Sequence, residues 1–350
     1  METIVENEEK NLLEVEHLRV SFHTYAGEVQ AVRDISYTVK PGECLAIVGE
    51  SGSGKTVSSK AVMGLIEKPQ GEIKEGSRIT FDGQDVLKFT EKQWEKFRGN
   101  DVAMIFQDPM TSLNPTAKVG KQIVEAILLH NKMSHEDAAK RAVELLRMVE
   151  IPNPEERFGQ YPYEFSGGMR QRVVIAIALA CNPRLMIADE PTTALDVTIQ
   201  AQILRLLRKI QKENNTAIIM ITHDLGVVAG MADKIIVMYS GKIMEQGSVR
   251  DIFYHPKHPY TRALLKAAPS LKGNGKEELQ VIPGTPPDLI NPPAGCGFST
   301  RCSLCLKVCK QYPPQSHDFG EGHSCTCWLY HPRTVQVLGE EKINNMLEEQ

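Results

Sequence analysis

"ECLAIVGESGSGKTVSSKAVMGLIE", residues 43–67, decides how the rest of the chain is read. The apolar run from Cys44 to Val48 has the length of a strand buried on both faces; a glycine-rich turn follows, then a helical stretch opening at Lys55 and Thr56. Gly49, Gly54, Lys55 and Thr56 satisfy G-x-x-x-x-G-K-[ST] in the strand, turn and helix setting that this pattern requires. Through Gly49, Glu50, Ser51, Gly52, Ser53 and Gly54 the backbone can wrap phosphates with its N–H groups. Lys55 adds positive charge and the Thr56 hydroxyl can ligate Mg²⁺. Nucleotide binding follows from this stretch; the use made of the nucleotide does not.

Two further apolar runs, "RLMIADE" (184–190) and "TAIIMITH" (216–223), read as buried strands. Between them Ile199, Ile203, Leu206, Leu207 and Ile210 share one helix face. Alternating helices and short apolar strands predict an α/β fold with a largely parallel sheet covered on both sides. Residues 116–165 are helical in pattern, with Ser134 and Asp137 as a capping pair, and read as an insertion in the sheet domain. The amino-terminal "LLEVEHLRVSFHTYAGEVQAVRDISYTV" alternates as an antiparallel side sheet would, and "DKIIVMYSGKIMEQG" reads as a hairpin turning at Ser240 and Gly241.

The ends of the apolar strands carry the chemistry. Asp189 closes one of them, where a carboxylate can reach Mg²⁺ beside the phosphate loop. Glu190 follows as the candidate general base, its plain alternative being a solvent-facing acid at a strand end. His223 ends the next strand at the same carboxyl edge, in reach of a γ-phosphate, and Gln107 ends the run "MIFQDP", where a neutral amide can contact Mg²⁺ and water or simply shape a turn. Ser166, Gly167 and Gly168 precede the helical run "MRQRVVIAIALA" and offer a second anion site. If the helical insertion projects from the sheet, that site serves the nucleotide of a second, face-to-face subunit.

Composition narrows the class. The 350-residue chain holds one large α/β domain plus an appendage, and its net charge of −4 disfavours electrostatic nucleic-acid binding. The acidic start "METIVENEEKNLLEV" lacks an apolar leader, so a cytosolic chain is expected. The longest apolar run, Val173 to Cys181, is far shorter than the ~20 residues of a membrane helix, so any membrane partner must supply the spans. Eight of the twenty prolines lie between Pro256 and Gly295, which reads as an extended connection, with a polar "KGNGKEE" stretch, to a small C-terminal module.

The motifs "GESGSGKT", "QDP" (107–109), "FSGGMRQR", "LMIADEP", "ALD" (194–196) and "ITHD" stand in the order of the nucleotide-binding subunits of ABC transporters, which the chain strongly resembles over nearly its whole length. The resemblance implies a P-loop NTPase of ABC type: antiparallel side sheet, helical subdomain at about 107–183, ATPase domain over 1–255 and C-terminal extension over 256–350. It implies ATP and Mg²⁺ as ligands of Lys55, Thr56 and Asp189, Glu190 on the attacking water, His223 as a switch and Gln107 as a sensor. Ser166, Gly167, Gly168 and Met169 would complete the partner's ATP site, with Phe165 and Met169 replacing the usual leucine and glutamine, and Asp196 would touch the partner. Tyr25 resembles the aromatic that stacks on adenine, Phe22 being its rival.

Beyond the core, "HPKHPYTRALLKAAP", "IPGTPPDLINPPAGCGF" and "RCSLCLKVC" to "CWLYHP" resemble the C-terminal extension of oligopeptide and dipeptide importer ATPases, specifically the D-type subunit. That implies an ATPase at the cytoplasmic face of the membrane, paired with a distinct F-type ATPase, two membrane permeases and an extracellular peptide-binding protein. Importers of nickel or other small solutes share this core and are the nearer alternative; a soluble ABC ATPase is the more distant one. Six of the eight cysteines crowd into the extension. Cys296, Cys302, Cys309 and Cys327 are spaced unlike a compact zinc ribbon, although Cys302 and Cys305 form a C-x-x-C pair that keeps zinc open. Resemblance to relatives with this extension implies a [4Fe-4S] cluster on those four, with Cys305 and Cys325 additional and plain buried thiols the alternative to any metal.

Overall fold

The computed structural model describes residues 10–193, 195–267 and 281–348; Ala194 and the polar stretch 272–278 lie outside the described residues. In chain order the strands are β1 (Leu13–Thr24), β2 (Gly27–Val39), β3 (Cys44–Val48), β4 (Gly71–Ile73), β5 (Arg78–Phe81), β6 (Gln84–Asp85) and β7 (Val102–Ile105). They continue with β8 (Leu185–Asp189), β9 (Ala217–Thr222), β10 (Lys234–Tyr239), β11 (Lys242–Ser248), β12 (Ser316–Asp318) and β13 (Ser324–Thr326).

The larger sheet runs β12-β13-β11-β10-β3-β9-β8-β7. Its five strands from β10 to β7 are parallel, and the remaining pairs are antiparallel. β3, β8 and β9 are buried at every position, as strands covered on both faces must be. Alternation then sorts their side chains. Ile218 and Met220 of β9 face a core shared with the inserted helices Val119–His130, His135–Met148 and Gly167–Ala178, whereas Ile219 and Ile221 face the side sheet. That side sheet, β2-β1-β5-β6 with β4 on β1, is antiparallel throughout, as the alternation in its sequence implies.

The helix after the phosphate loop, Lys55–Val62, is shorter than the apolar pattern implies. Gly64 stops it at φ 61°, packed so tightly on Trp94 that a Cβ would lie 2.7 Å from the indole. The β10–β11 hairpin turns at Ser240 (φ 50°) and Gly241 (φ 74°), the left-handed pair of a two-residue turn. Ser134 caps its helix by accepting the Asp137 N–H at 3.1 Å.

The region read as an extended connection begins differently: Pro259–Ala267 is helical. Proline is preorganised for a first helical turn, so Pro259 starts this helix rather than forbidding it. Among the described residues of that region, 256–258 and 281–295 lack regular structure. The C-terminal module is built into the ATPase sheet, since β13 pairs with β11 and β12 with β13. Phe298, 1% exposed, meets Tyr239 of β10 edge-on at 5.4 Å and Tyr260 at 5.1 Å. Because core and extension share this buried cluster, Phe298→Ala costs about 3–5 kcal/mol in urea unfolding and leaves a single transition. Early, separate melting of the extension would contradict the shared core.

Candidate active site

Register delivers the site. Ile105 pairs with Ala188, Asp189 with Ile221 and Val48 with Thr222, so the residues just past these strands emerge side by side at one carboxyl edge. Gln107, Glu190, His223 and Gly49 are those residues. Glu190 leaves β8 in the left-handed region (φ 47°), its N–H held by Ile221 O at 2.9 Å. This backbone turn carries its carboxylate out of the strand. Gln107 Nε2 and Thr193 Oγ1 each donate to Glu190 Oε2 at 2.9 Å, and His223 Nδ1 lies 3.2 Å from Oε1. A carboxylate has about four acceptor positions, so Glu190 is oriented from three sides and can still hold a water.

The phosphate loop lies beside this group. Gly49 has φ 151°, and a Cβ there would meet Met238 O at 2.1 Å, so only glycine lets the loop leave β3 against β10. Lys55 Nζ donates to Gly49 O at 2.7 Å and Glu50 O at 2.9 Å, and Ser53 O accepts Gly241 N–H at 3.0 Å. Ser51 and Gly52 are exposed at the loop tip. Burial pushes the Lys55 ammonium below the ordinary lysine range, opposed by Glu190, Asp189 and Glu50. Thr56 Oγ1 donates to Asp189 Oδ1 at 3.0 Å, placing a hydroxyl and a carboxylate together as hard oxygen donors suited to Mg²⁺.

Other residues singled out in the sequence lie elsewhere. Ser166 caps the helix Gly167–Ala178, and a Cβ on Gly168 would stand 2.5 Å from Ile199, so this glycine seats the helix on Val197–Asn214. Among the described residues none of Ser166, Gly167, Gly168 and Met169 hydrogen-bonds to the phosphate loop or to Glu190, and Ser166 and Gly167 are exposed. Asp196 caps the helix Val197–Asn214 by accepting the Ile199 N–H at 2.9 Å, itself exposed. Tyr25 is fully exposed at the tip of the β1–β2 hairpin, whereas Phe22 packs against the side-sheet core. That contrast favours Tyr25 over Phe22 as a platform for a base.

All eight cysteines are free thiols. Cys296, Cys302, Cys309 and Cys327 line one cavity with His258 and Trp328, while neither Cys305 nor Cys325 is among its lining residues. Burial pushes the Cys302 thiol up to about 12 and the Cys309 thiol up to about 11. Among the described residues no group of three or more His, Cys, Asp or Glu is arranged to hold a metal ion.

Sequence reasoning missed three contributors. Thr193 donates to Glu190, and Arg301 and Tyr260 both bind Glu50 of the phosphate loop. Thr193 sits in "EPTT", where a hydroxyl three residues past the acid was the available signal. Arg301 and Tyr260 are more than two hundred residues from Glu50 (251 and 210), and no local pattern announces them.

Residues 32–193 match the family described as ABC transporter, and residues 244–309 the oligopeptide/dipeptide transporter C-terminal region. The oligopeptide transport ATP-binding protein OppD of Bacillus subtilis (strain 168) is 57% identical over 95% of this chain and 92% of its own length. The chain belongs to the ATP-binding subunits of the oligopeptide and dipeptide ABC transporter family. The dipeptide transport ATP-binding protein DppD of Lactococcus lactis is 52% identical over 96% of this chain and 95% of its own length. A dimeric, post-hydrolysis ATP-binding cassette bound to ADP and Pi superimposes with a TM-score of 0.61 at 27% identity, covering 68% of this chain and 99% of that one. The α/β architecture is thus that of an ABC ATPase.

Asp189 offers a direct check of the site's electrostatics. It is 4% exposed, and burial raises its carboxyl above the ordinary range, with Glu190 adding to the shift. A raised carboxyl favours the fold below its unfolded value, and that contribution is lost as pH rises through the folded one, so the ionised form is a strain at neutral pH. Asp189→Asn therefore raises the melting temperature of the nucleotide-free protein by about 2–4 °C at neutral pH and less in acid, while Mg²⁺-dependent hydrolysis is lost. Thermal melts across pH check it; a lowered melting temperature at neutral pH contradicts the reading.

Proposed function

We propose that this chain binds and hydrolyses ATP with Mg²⁺ and thereby drives import of oligopeptides or dipeptides through a membrane permease complex. The observation that carries the reading is Glu190, oriented by Gln107, Thr193 and His223 beside a phosphate loop whose Thr56 touches Asp189. Water held by Glu190 loses its proton to the carboxylate as its oxygen bonds to the γ-phosphorus, and the bond from that phosphorus to the β–γ bridging oxygen breaks, releasing ADP and phosphate; Lys55 balances charge on the phosphates, and a Mg²⁺ held by Thr56 and Asp189 would add to that. Tyr25 takes the adenine. Peptide cargo is favoured by the C-terminal region and by relatives named for oligopeptide and dipeptide transport.

Ser166 to Met169 and Asp196 complete the site of a second ATPase subunit, an F-type homologue, from across a dimer interface. The exposure of Ser166, Gly167 and Asp196, and hydrogen bonding away from the phosphate loop, support that assignment. The subunit is peripheral, at the cytoplasmic face, with the spans supplied by two permeases, a reading supported by relatives named as transport ATP-binding proteins; no helix among the described residues is long and apolar enough to cross a membrane. Segment 107–165 of the helical subdomain (about 107–183), whose Met110, Leu129 and Tyr163 are exposed, is the surface for permease helices, and an extracellular binding protein delivers the peptide. Residues 1–255 form the ATPase domain and 256–350 its extension.

The extension holds a [4Fe-4S] cluster on Cys296, Cys302, Cys309 and Cys327. Support comes from the single cavity that these four thiols line. His258 lines it too; its Nδ1 accepts the Tyr260 N–H at 3.0 Å, so the proton resides on Nε2, a buried donor without a protein partner. A donor of that kind suits cluster sulfur.

Glu190→Gln retains ATP binding and lowers ATP turnover of the assembled transporter roughly 10²- to 10⁴-fold. Unchanged turnover would remove the general base. Iron and acid-labile sulfide, measured on anaerobically purified protein, fall with Cys302→Ala and stay unchanged with Cys305→Ala; zinc without sulfide would reverse the cofactor assignment.

A further inference from the structure

Glu50 places an anion inside the loop that must receive a triphosphate. Its backbone O accepts a hydrogen bond from the Lys55 ammonium at 2.9 Å, so its carboxylate stands in the same loop, where a negative charge opposes an incoming phosphate. The C-terminal extension meets this carboxylate with Arg301. The guanidinium is 4% exposed and bidentate: its two terminal nitrogens donate to Glu50 Oε2 at 2.6 Å and Oε1 at 3.1 Å. Its other N–H groups go to Tyr239 Oη at 3.0 Å, Ile282 O at 3.1 Å and Pro283 O at 2.9 Å, so the fork is fixed from three elements. The Glu50 backbone is held as well, its N–H donating to Tyr260 Oη at 3.0 Å.

We propose that Arg301, supported by Tyr260, is a positioning residue for nucleotide binding: it neutralises Glu50 and fixes the phosphate loop from the C-terminal extension. A hydrolysing loop with Glu50 unpaired would present a buried-edge anion to ATP and lose one anchor of its backbone. With Arg301 in place, the charge of Glu50 is spent within the protein and the loop N–H groups face an anion without a competing carboxylate. Arg301 adjoins Cys302, so the same short run lines the thiol cavity and grips the loop. The inference rests on the ATPase reading above and adds a residue outside the nucleotide-binding motifs to it.

The test is a double-mutant cycle on the full-length chain, titrated with a fluorescent ATP analogue. Arg301→Met weakens binding about tenfold, and Arg301→Lys, which keeps the charge without the fork, about threefold. In a Glu50→Gln background Arg301→Met changes affinity less than about twofold, because the charge that needed neutralising is gone. Equal loss in both backgrounds would mean that Arg301 merely holds the extension together and would overturn the proposal, as would no loss in either. If the methionine variant is not recovered folded, the lysine variant in the same two backgrounds answers the question. Failure of the unsubstituted chain to bind the analogue would overturn the ATPase reading instead.

Discussion

The constraint on which the rest of the structure depends is the parallel register of β7, β8, β9 and β3. Parallel strands in register end together, so whatever follows each of them meets its neighbours at one edge. Here those successors are Gln107, Glu190, His223 and the phosphate loop, and Glu190 is reached by both of its neighbours through direct contacts. The two flanking cores keep the strands straight and dry, one built with the inserted helices and the other with the side sheet. A slip of one residue in any pair would turn one of these edge side chains into the core.

The C-terminal extension is part of the same machine. Its strands lengthen the ATPase sheet, Phe298 enters the packing between Tyr239 and Tyr260, and Arg301 and Tyr260 hold the phosphate loop by side chain and backbone. A module of this size has little core of its own, and burying its aromatic residues against β10 supplies one. The thiol cavity and the nucleotide loop meet in one short run: Cys296 and Cys302 line the cavity, and Arg301 between them binds Glu50.

Much of this was legible in the sequence because the signals were local. The phosphate loop, the apolar strands and the acidic pair Asp189–Glu190 each fall within a short window, and strand length placed the carboxylates at an edge. The ABC architecture and the peptide-transporter relatives agree with that reading. What stayed hidden was non-local or shaped by context. Arg301 meets Glu50 only after the whole sheet is assembled, and Thr193 reaches Glu190 only because Glu190 turns left-handed. Pro259 misled because proline density was read as extension where proline in fact begins a helix. Of six clustered cysteines, spacing alone left the choice open, while the cavity separates four from Cys305 and Cys325.

Transport is what this arrangement is for, so the most direct measurement is uptake of labelled peptides, from dipeptides upward, beside uptake of nickel in source cells from which this chain has been deleted. Peptide uptake falls on deletion and returns with the unsubstituted chain, while nickel uptake is unaffected. Intact peptide uptake with failing nickel uptake would contradict the account and assign this ATPase to a metal importer.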